Sequence, residues 1–138
     1  MQTNTITHID MDTFFVSCER LINPALAKKP VLVGGTSDRG VVASCSYEAR
    51  KFGVHAAMPM RLAKTLCPDA AIIQGDSSLY SKLSDVITEI IREKAPLYEK
   101  SSIDEFYIDL SGMDRFHGCY QWSHEIRQDI IKETGLPI

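Results

Sequence analysis

LYEKSSIDEFYIDL, residues Leu97–Leu110, is the stretch on which the reading of the fold turns. Leu97–Ser102 and Phe106–Leu110 carry the aromatic and branched side chains of short strands. The acidic Ile103-Asp104-Glu105 between them is short enough to be a turn, so the stretch reads as a hairpin. On its N-terminal side, Asp76 and Ser77 open a long helix whose Leu79, Leu83, Val86, Ile87, Ile90 and Ile91 recur at helical spacing. On its C-terminal side, Cys119–Thr134 reads as a second long helix, with Trp122, Ile126 and Ile130 inward and Gly135 as its cap. Pro137-Ile138 reads as the first step of another strand, and Ile6–Asp10, near the head of the chain, as a complete one.

With residues 13–75 set aside, the order is strand, helix, strand, strand, helix and the start of a strand. That is the β-α-β-β-α-β order of a ferredoxin-like sheet, an α+β fold, here with its last strand missing. Residues 13–75 have elements of their own and read as an inserted small α/β module, with joints near Asp12 and near Gly75-Asp76. Asp12 is the expected N-cap of a helix over Thr13–Leu21 that stops at Asn23-Pro24. Pro30–Gly34 and Val41–Ser44 are apolar strands around a polar loop. Ser46 caps a short helix over Tyr47–Phe52 that ends at Gly53. Met58–Leu66 is another helix, with proline in its first turn, and Ala71–Ile73 is a brief strand. The expected organisation is therefore one domain made of residues 1–12 and 76–138, interrupted by a second over 13–75.

The 138 residues are 44% hydrophobic and 24% charged, a globular composition with enough chain for a real core. No run approaches the roughly 18 apolar residues of a membrane helix, and the polar start Met1–Thr5 has no signal-peptide character. Cys18, Cys45, Cys67 and Cys119 form no C-x-x-C pair and read as reduced, buried thiols of a cytoplasmic protein. His8, His55, His117 and His124 lack ligand spacing, which argues against zinc. The formal charge of −3 runs against a phosphate-binding surface on these residues alone.

In a ferredoxin-like sheet the first and third strands are antiparallel neighbours. Asp10 ends the first, and Asp104 and Glu105 stand at the entrance to the third, so pairing brings the three acids together. Convergent carboxylates repel one another unless a cation lies between them. Two hard divalent ions resolve that repulsion and can activate a hydroxyl while stabilising a leaving pyrophosphate. Taken singly, each acid reads better as an ordinary residue at a strand end or turn.

Three strings carry a family resemblance: Ile9-Asp10-Met11-Asp12-Thr13-Phe14-Phe15, Tyr47-Glu48-Ala49-Arg50-Lys51-Phe52-Gly53-Val54, and Ser101-Ser102-Ile103-Asp104-Glu105-Phe106-Tyr107-Ile108-Asp109. Weaker matches follow in order at Asn23–Leu26, Lys29–Val31, Arg39–Val41 and Leu66–Pro68. Together they resemble the Y-family of translesion DNA polymerases, most closely the DNA polymerase IV branch, from Ile6 to Ile138. The resemblance implies a catalytic palm (1–12 and 76–138) and fingers (13–75), with thumb and little finger absent. It implies two Mg²⁺ ions, replaceable by Mn²⁺, on Asp10, Asp104, Glu105 and the Met11 carbonyl, with Glu105 nearest the primer 3′-hydroxyl.

By the same resemblance Phe15 is the steric gate against a ribose 2′-hydroxyl, with Phe14 beside it, although core packing explains Phe14 as well. Tyr47 and Arg50, at i and i+3 of one helix, would hold the triphosphate of the incoming nucleotide. Ser44 would add a hydrogen bond where threonine is usual. Gly40, Val41, Val42 and Ala43 would roof the nascent base pair, their small size implying low fidelity. Phe106 stands where alanine is frequent and bears on packing beneath the site.

The implied partners are primer–template DNA and a deoxynucleoside triphosphate, with a sliding clamp recruited through the missing C-terminal region. The implied location is the bacterial cytoplasm, at the nucleoid. A piece without its basic, DNA-gripping domains is expected to be inactive alone and to self-associate through an exposed first strand. A catalytically silent relative, a nucleotide cyclase and a purely structural domain are the rival readings. The intact acids, the Tyr47–Val54 string with Phe15, and the convergence of the acids weigh against them in turn.

Overall fold

The computed structural model describes residues 5–112 and 118–138; residues 1–4 and His117 lie outside them. The chain divides into two compact units, Met1–Asp12 with Ser78–Ile138, and Thr13–Ser77. Among the described residues no helix is long and apolar enough to cross a membrane.

The first unit is built on a three-stranded antiparallel sheet in the order β1 (Ile6–Asp10), β6 (Glu105–Asp109), β5 (Tyr98–Ser102). Alternation gives each strand two faces. Ile9, Phe106 and Ile108 are buried on one of them, whereas His8 and Tyr107 are exposed on the other. Full burial of an apolar side chain of that size contributes about 1.5–3 kcal/mol.

Helices α4 (Ser77–Lys94) and α5 (Cys119–Thr134) are bound to this sheet by specific polar contacts. Ser123 and Thr7 share a hydroxyl hydrogen bond of 2.8 Å, and Lys100 donates to Thr88 at 3.1 Å. Lys94 pairs with Asp129 between the helices. Helix α5 buries Trp122, Ile126 and Ile130, as its spacing predicts, and Gly135 closes it in the left-handed conformation at φ 75°. Phe106 is wholly buried beneath the open face of β6, with the Lys100 ammonium 5.6 Å from its ring centre.

Helix α4 buries Ile87, Ile90 and Ile91 of its expected stripe, with the inward face shifted toward Tyr80 and Ser84. Tyr80, Ser84, Ile87, Ile90 and Ile91 are buried, while Val86 is 44% exposed. The reason is polar: Ser84 donates its hydroxyl to the Ile103 carbonyl at 2.5 Å, which holds the 80–84–87–91 stripe against the β5–β6 turn. Pro137-Ile138 forms no strand. The Pro137 carbonyl accepts from the Asp12 backbone N–H at 3.2 Å while Leu136 is buried.

The second unit holds a three-stranded sheet in which β2 (Val31–Gly34) is central, antiparallel to β3 (Val42–Cys45) and parallel to β4 (Ala71–Ile73). Its helices are α1 (Phe14–Ile22), α2 (Tyr47–Arg50) and α3 (Met60–Leu66), with a 3-10 turn at Pro24–Leu26. Leu32, Val42, Ala49, Met60 and Ala63 form part of its core. Cys18, Cys45 and Cys67 are buried thiols in no disulfide, and Cys119 of the first unit is a half-buried one.

Three details depart from expectation or sharpen it. Thr13, not Asp12, caps α1; it sits in the left-handed region at φ 37°, with no side-chain bond to the helix N–H groups. Ser46 caps α2 as expected and does more. Its hydroxyl accepts from both Ala49 N–H (3.2 Å) and Val31 N–H (2.9 Å), so one buried oxygen joins helix to sheet. Gly40 is required by backbone crowding, because a Cβ there would lie 2.1 Å from the Gly35 carbonyl oxygen.

Candidate metal centre

Antiparallel register sets Asp10 directly opposite Glu105, and the Met11 N–H continues the ladder by donating to the Asp104 carbonyl at 3.1 Å. The β5–β6 turn that carries Asp104 is pinned from below by the Ser84 bond to Ile103. The consequence is a cluster: one carboxylate oxygen from each of Asp10, Asp104 and Glu105, all within 4.8 Å of one another. Among the described residues no other group of three or more His, Cys, Asp or Glu side chains is gathered in this way.

The surroundings hold two of the acids in place. Ser102 donates its hydroxyl to Asp104 Oδ1 at 3.1 Å. His8 Nε2 lies 3.3 Å from Glu105 Oε2, and the His8 ring stacks on Tyr107 with centroids 4.6 Å apart and planes 15° from parallel. Partial burial, together with the like charges of Asp104, Glu105 and Asp12, pushes the Asp10 carboxyl above its ordinary value, against the opposing pull of His8. The residue as a whole is exposed, and the charges of its neighbours are the part of that push that a bound cation would remove. Hard oxygen donors at this spacing suit a divalent ion of the magnesium or calcium class.

That repulsion has a measurable sign. A carboxyl raised in the folded state binds more protons there than in the unfolded chain. The Asp10 carboxyl should therefore contribute stability to the metal-free protein that grows as pH falls through the raised value and fades as pH climbs back. Asp10→Asn removes one like charge at any pH. For exposed charges the gain is of the order of 1 kcal/mol or less, so the metal-free melting temperature should rise by about 2–4 °C. The same substitution should abolish any rise in melting temperature on adding Mn²⁺. Thermal melting in EDTA and in Mn²⁺ decides the matter; a lower metal-free melting temperature for the variant contradicts the electrostatic account.

The second unit carries the remaining sequence-predicted residues. On α1, Phe14 is buried and Phe15 half-buried, their rings 6.0 Å apart and tilted by 50°. On α2, Tyr47 and Arg50 are both exposed, and the guanidinium lies 5.0 Å over the tyrosine ring. A cation in that position is attracted to the ring face, so the pair leaves the helix as one object. Val41 and Ala43 are exposed and Ser44 and Gly40 are half-buried, but Val42 is buried in the core and offers no side chain to a ligand.

Arg20, which no sequence motif singles out, organises this unit. It donates to the Leu26 carbonyl (3.1 Å), the Lys29 carbonyl (2.7 Å) and Glu48 Oε2 (3.1 Å). Burial would raise the Glu48 carboxyl. The backbone, Arg20 and Ser46 contacts outweigh that and hold it below its usual range. The base of α2, and with it Tyr47 and Arg50, is thereby tied to α1.

Residues 9–138 match the impB/mucB/samB family. A DNA polymerase IV of Dehalococcoides mccartyi is 42% identical over 138 residues, 99% of this chain and 35% of that protein. A DNA polymerase IV of Protochlamydia amoebophila is 46% identical over 138 residues, 99% of this chain and 39% of that protein. The chain thus spans somewhat over a third of the length of these curated relatives. A crystal structure of DinB from Sulfolobus solfataricus matches with a TM-score of 0.88 at 30% identity, covering 96% of this chain and 40% of that one.

Proposed function

Because the chain belongs to the impB/mucB/samB family, that of the Y-family DNA polymerases, we propose that it supplies the palm and fingers of a translesion DNA polymerase. The reaction is addition of a deoxynucleotide to a primer 3′-hydroxyl on damaged templates, with low fidelity. The observation that carries this reading is the gathering of Asp10, Asp104 and Glu105 within 4.8 Å at the paired ends of β1 and β6.

In this proposal Asp10, Asp104, Glu105 and the Met11 carbonyl hold two Mg²⁺ ions, for which Mn²⁺ can substitute. Bound there, the ions lower the pKa of the attacking hydroxyl and neutralise charge on the phosphates. The protein's own groups do the rest. Glu105 lies nearest the primer hydroxyl. Arg50, braced by Tyr47, binds phosphate oxygens through its planar fork, and Ser44 adds a hydrogen bond. Phe15 excludes a 2′-hydroxyl by bulk. Gly40, Val41 and Ala43 roof the base pair without testing its shape. Residues 1–12 and 76–138 make the palm and 13–75 the fingers, working on nucleoid DNA in the bacterial cytoplasm.

The test is a titration of the isotopically labelled chain with Mn²⁺ and a deoxynucleoside triphosphate, followed by carboxyl-carbon NMR. Paramagnetic broadening should begin at Asp10, Asp104 and Glu105. Broadening that spares all three, or that spreads evenly over the surface acids, refutes the metal centre.

A further inference from the structure

We infer that His8 is a positioning residue for Glu105, holding its carboxylate in the orientation that receives a divalent cation. The inference rests on the metal-centre reading and extends it to a side chain outside the carboxylate set.

His8 stands two residues before Asp10 on β1, so both side chains leave the same, open face of the sheet. The register sets His8 opposite Tyr107 and Asp10 opposite Glu105, which makes His8 and Glu105 diagonal neighbours. Across that diagonal Nε2 lies 3.3 Å from Oε2. An ionised carboxylate only accepts, so Nε2 is the N–H and donates. The Tyr107 ring supports the imidazole in this orientation, the two lying nearly flat on one another, 15° from parallel.

Glu105 needs such a partner. Its side chain is 37% exposed at the end of a strand and faces two further acids. Repulsion favours rotamers that carry the carboxylate away from Asp10 and Asp104, and a flexible glutamate has several. The His8 hydrogen bond opposes that drift by anchoring the carboxylate at Oε2. Partners of this kind behind a metal-binding carboxylate typically set affinity by 10–100-fold. Ser102 does the equivalent for Asp104 within the turn itself.

The experiment measures Mn²⁺ binding to the 138-residue chain by the electron-spin resonance signal of free Mn²⁺. It compares the parent with His8→Leu, His8→Gln and Asp104→Asn. Leucine fills the volume of the ring without a donor; glutamine restores an N–H near the reach of Nε2. His8→Leu should raise the Kd of the tightest site about tenfold, and His8→Gln should stay within about threefold of the parent. The His8 side chain is 44% exposed, so both variants should melt close to the parent in EDTA. An unchanged Kd in His8→Leu overturns the inference. So does an equal loss in both His8 variants, which would assign the effect to the ring alone. Parent-like Mn²⁺ binding by Asp104→Asn is the separate outcome that removes the metal centre itself.

Discussion

Asp104→Ala is expected to lower templated deoxynucleotide addition by about 10³-fold or more while leaving primer–template affinity within about threefold. The setting is a chimera in which this chain replaces the corresponding part of the Dehalococcoides mccartyi DNA polymerase IV it resembles. Loss of a metal ligand removes several kcal/mol of charge stabilisation from phosphoryl transfer, and each 1.36 kcal/mol is a factor of ten in rate. The DNA grip should be spared, because Asp104 is an acid in a three-acid cluster and contributes repulsion, not attraction, to a phosphate backbone. Single-turnover incorporation and primer–template titration measure the two quantities separately. A rate within tenfold of the parent, or a parallel collapse of DNA binding, defeats the proposed role.

The second large effect is one of selectivity. Phe15→Val in the same chimera should reduce discrimination against ribonucleotides by about 10²-fold, the scale on which a pocket's shape rejects one added hydroxyl. Deoxynucleotide addition should fall far less. The assignment follows from how α1 disposes its apolar residues: Phe14 and Val16 are buried and Phe15 between them is not. Phe14→Val provides the contrast. It cuts into the core and should destabilise the chain by about 1–3 kcal/mol without a selective gain for ribonucleotides. Competing deoxy- and ribonucleotide incorporation measures the ratio; if Phe14→Val moves it and Phe15→Val does not, the gate is misassigned.

Much of this architecture was legible because it depends on local pattern. The hairpin around Asp104, the inward stripe of α5 and its Gly135 cap, and the Ser46 cap are each set within a few residues. The meeting of Asp10 with Asp104 and Glu105 was legible at one remove, through a topology in which strand order dictates which ends are neighbours. What escaped were contacts between distant side chains whose geometry no spacing rule encodes. Arg20 reaches carbonyls six and nine residues away and a carboxylate twenty-eight residues away. Ser84 joins the buried stripe through a carbonyl nineteen residues on. His8 lacks zinc-ligand spacing, so no metal pattern singles it out. The available signal was its i−2 position before Asp10, which puts it on the same face, but its partner emerges only once the register with Glu105 is known. The Thr13 cap was hidden for another reason: a left-handed threonine runs against ordinary preference, and Asp12 beside it is the better capping residue by composition.

The pairing of β1 with β6 joins residues about 100 positions apart, while the unit Thr13–Ser77 is one continuous run of chain. On a ribosome adding about 5–20 residues per second, Ile6–Asp10 is therefore synthesised on the order of 10 s before the strand that completes its ladder. The intervening run can collapse during that wait, since all of it is already made. Assembly of the acidic cluster is thus a late event in the birth of the polypeptide, and until then the newborn strand must be kept from pairing with its neighbours on other ribosomes.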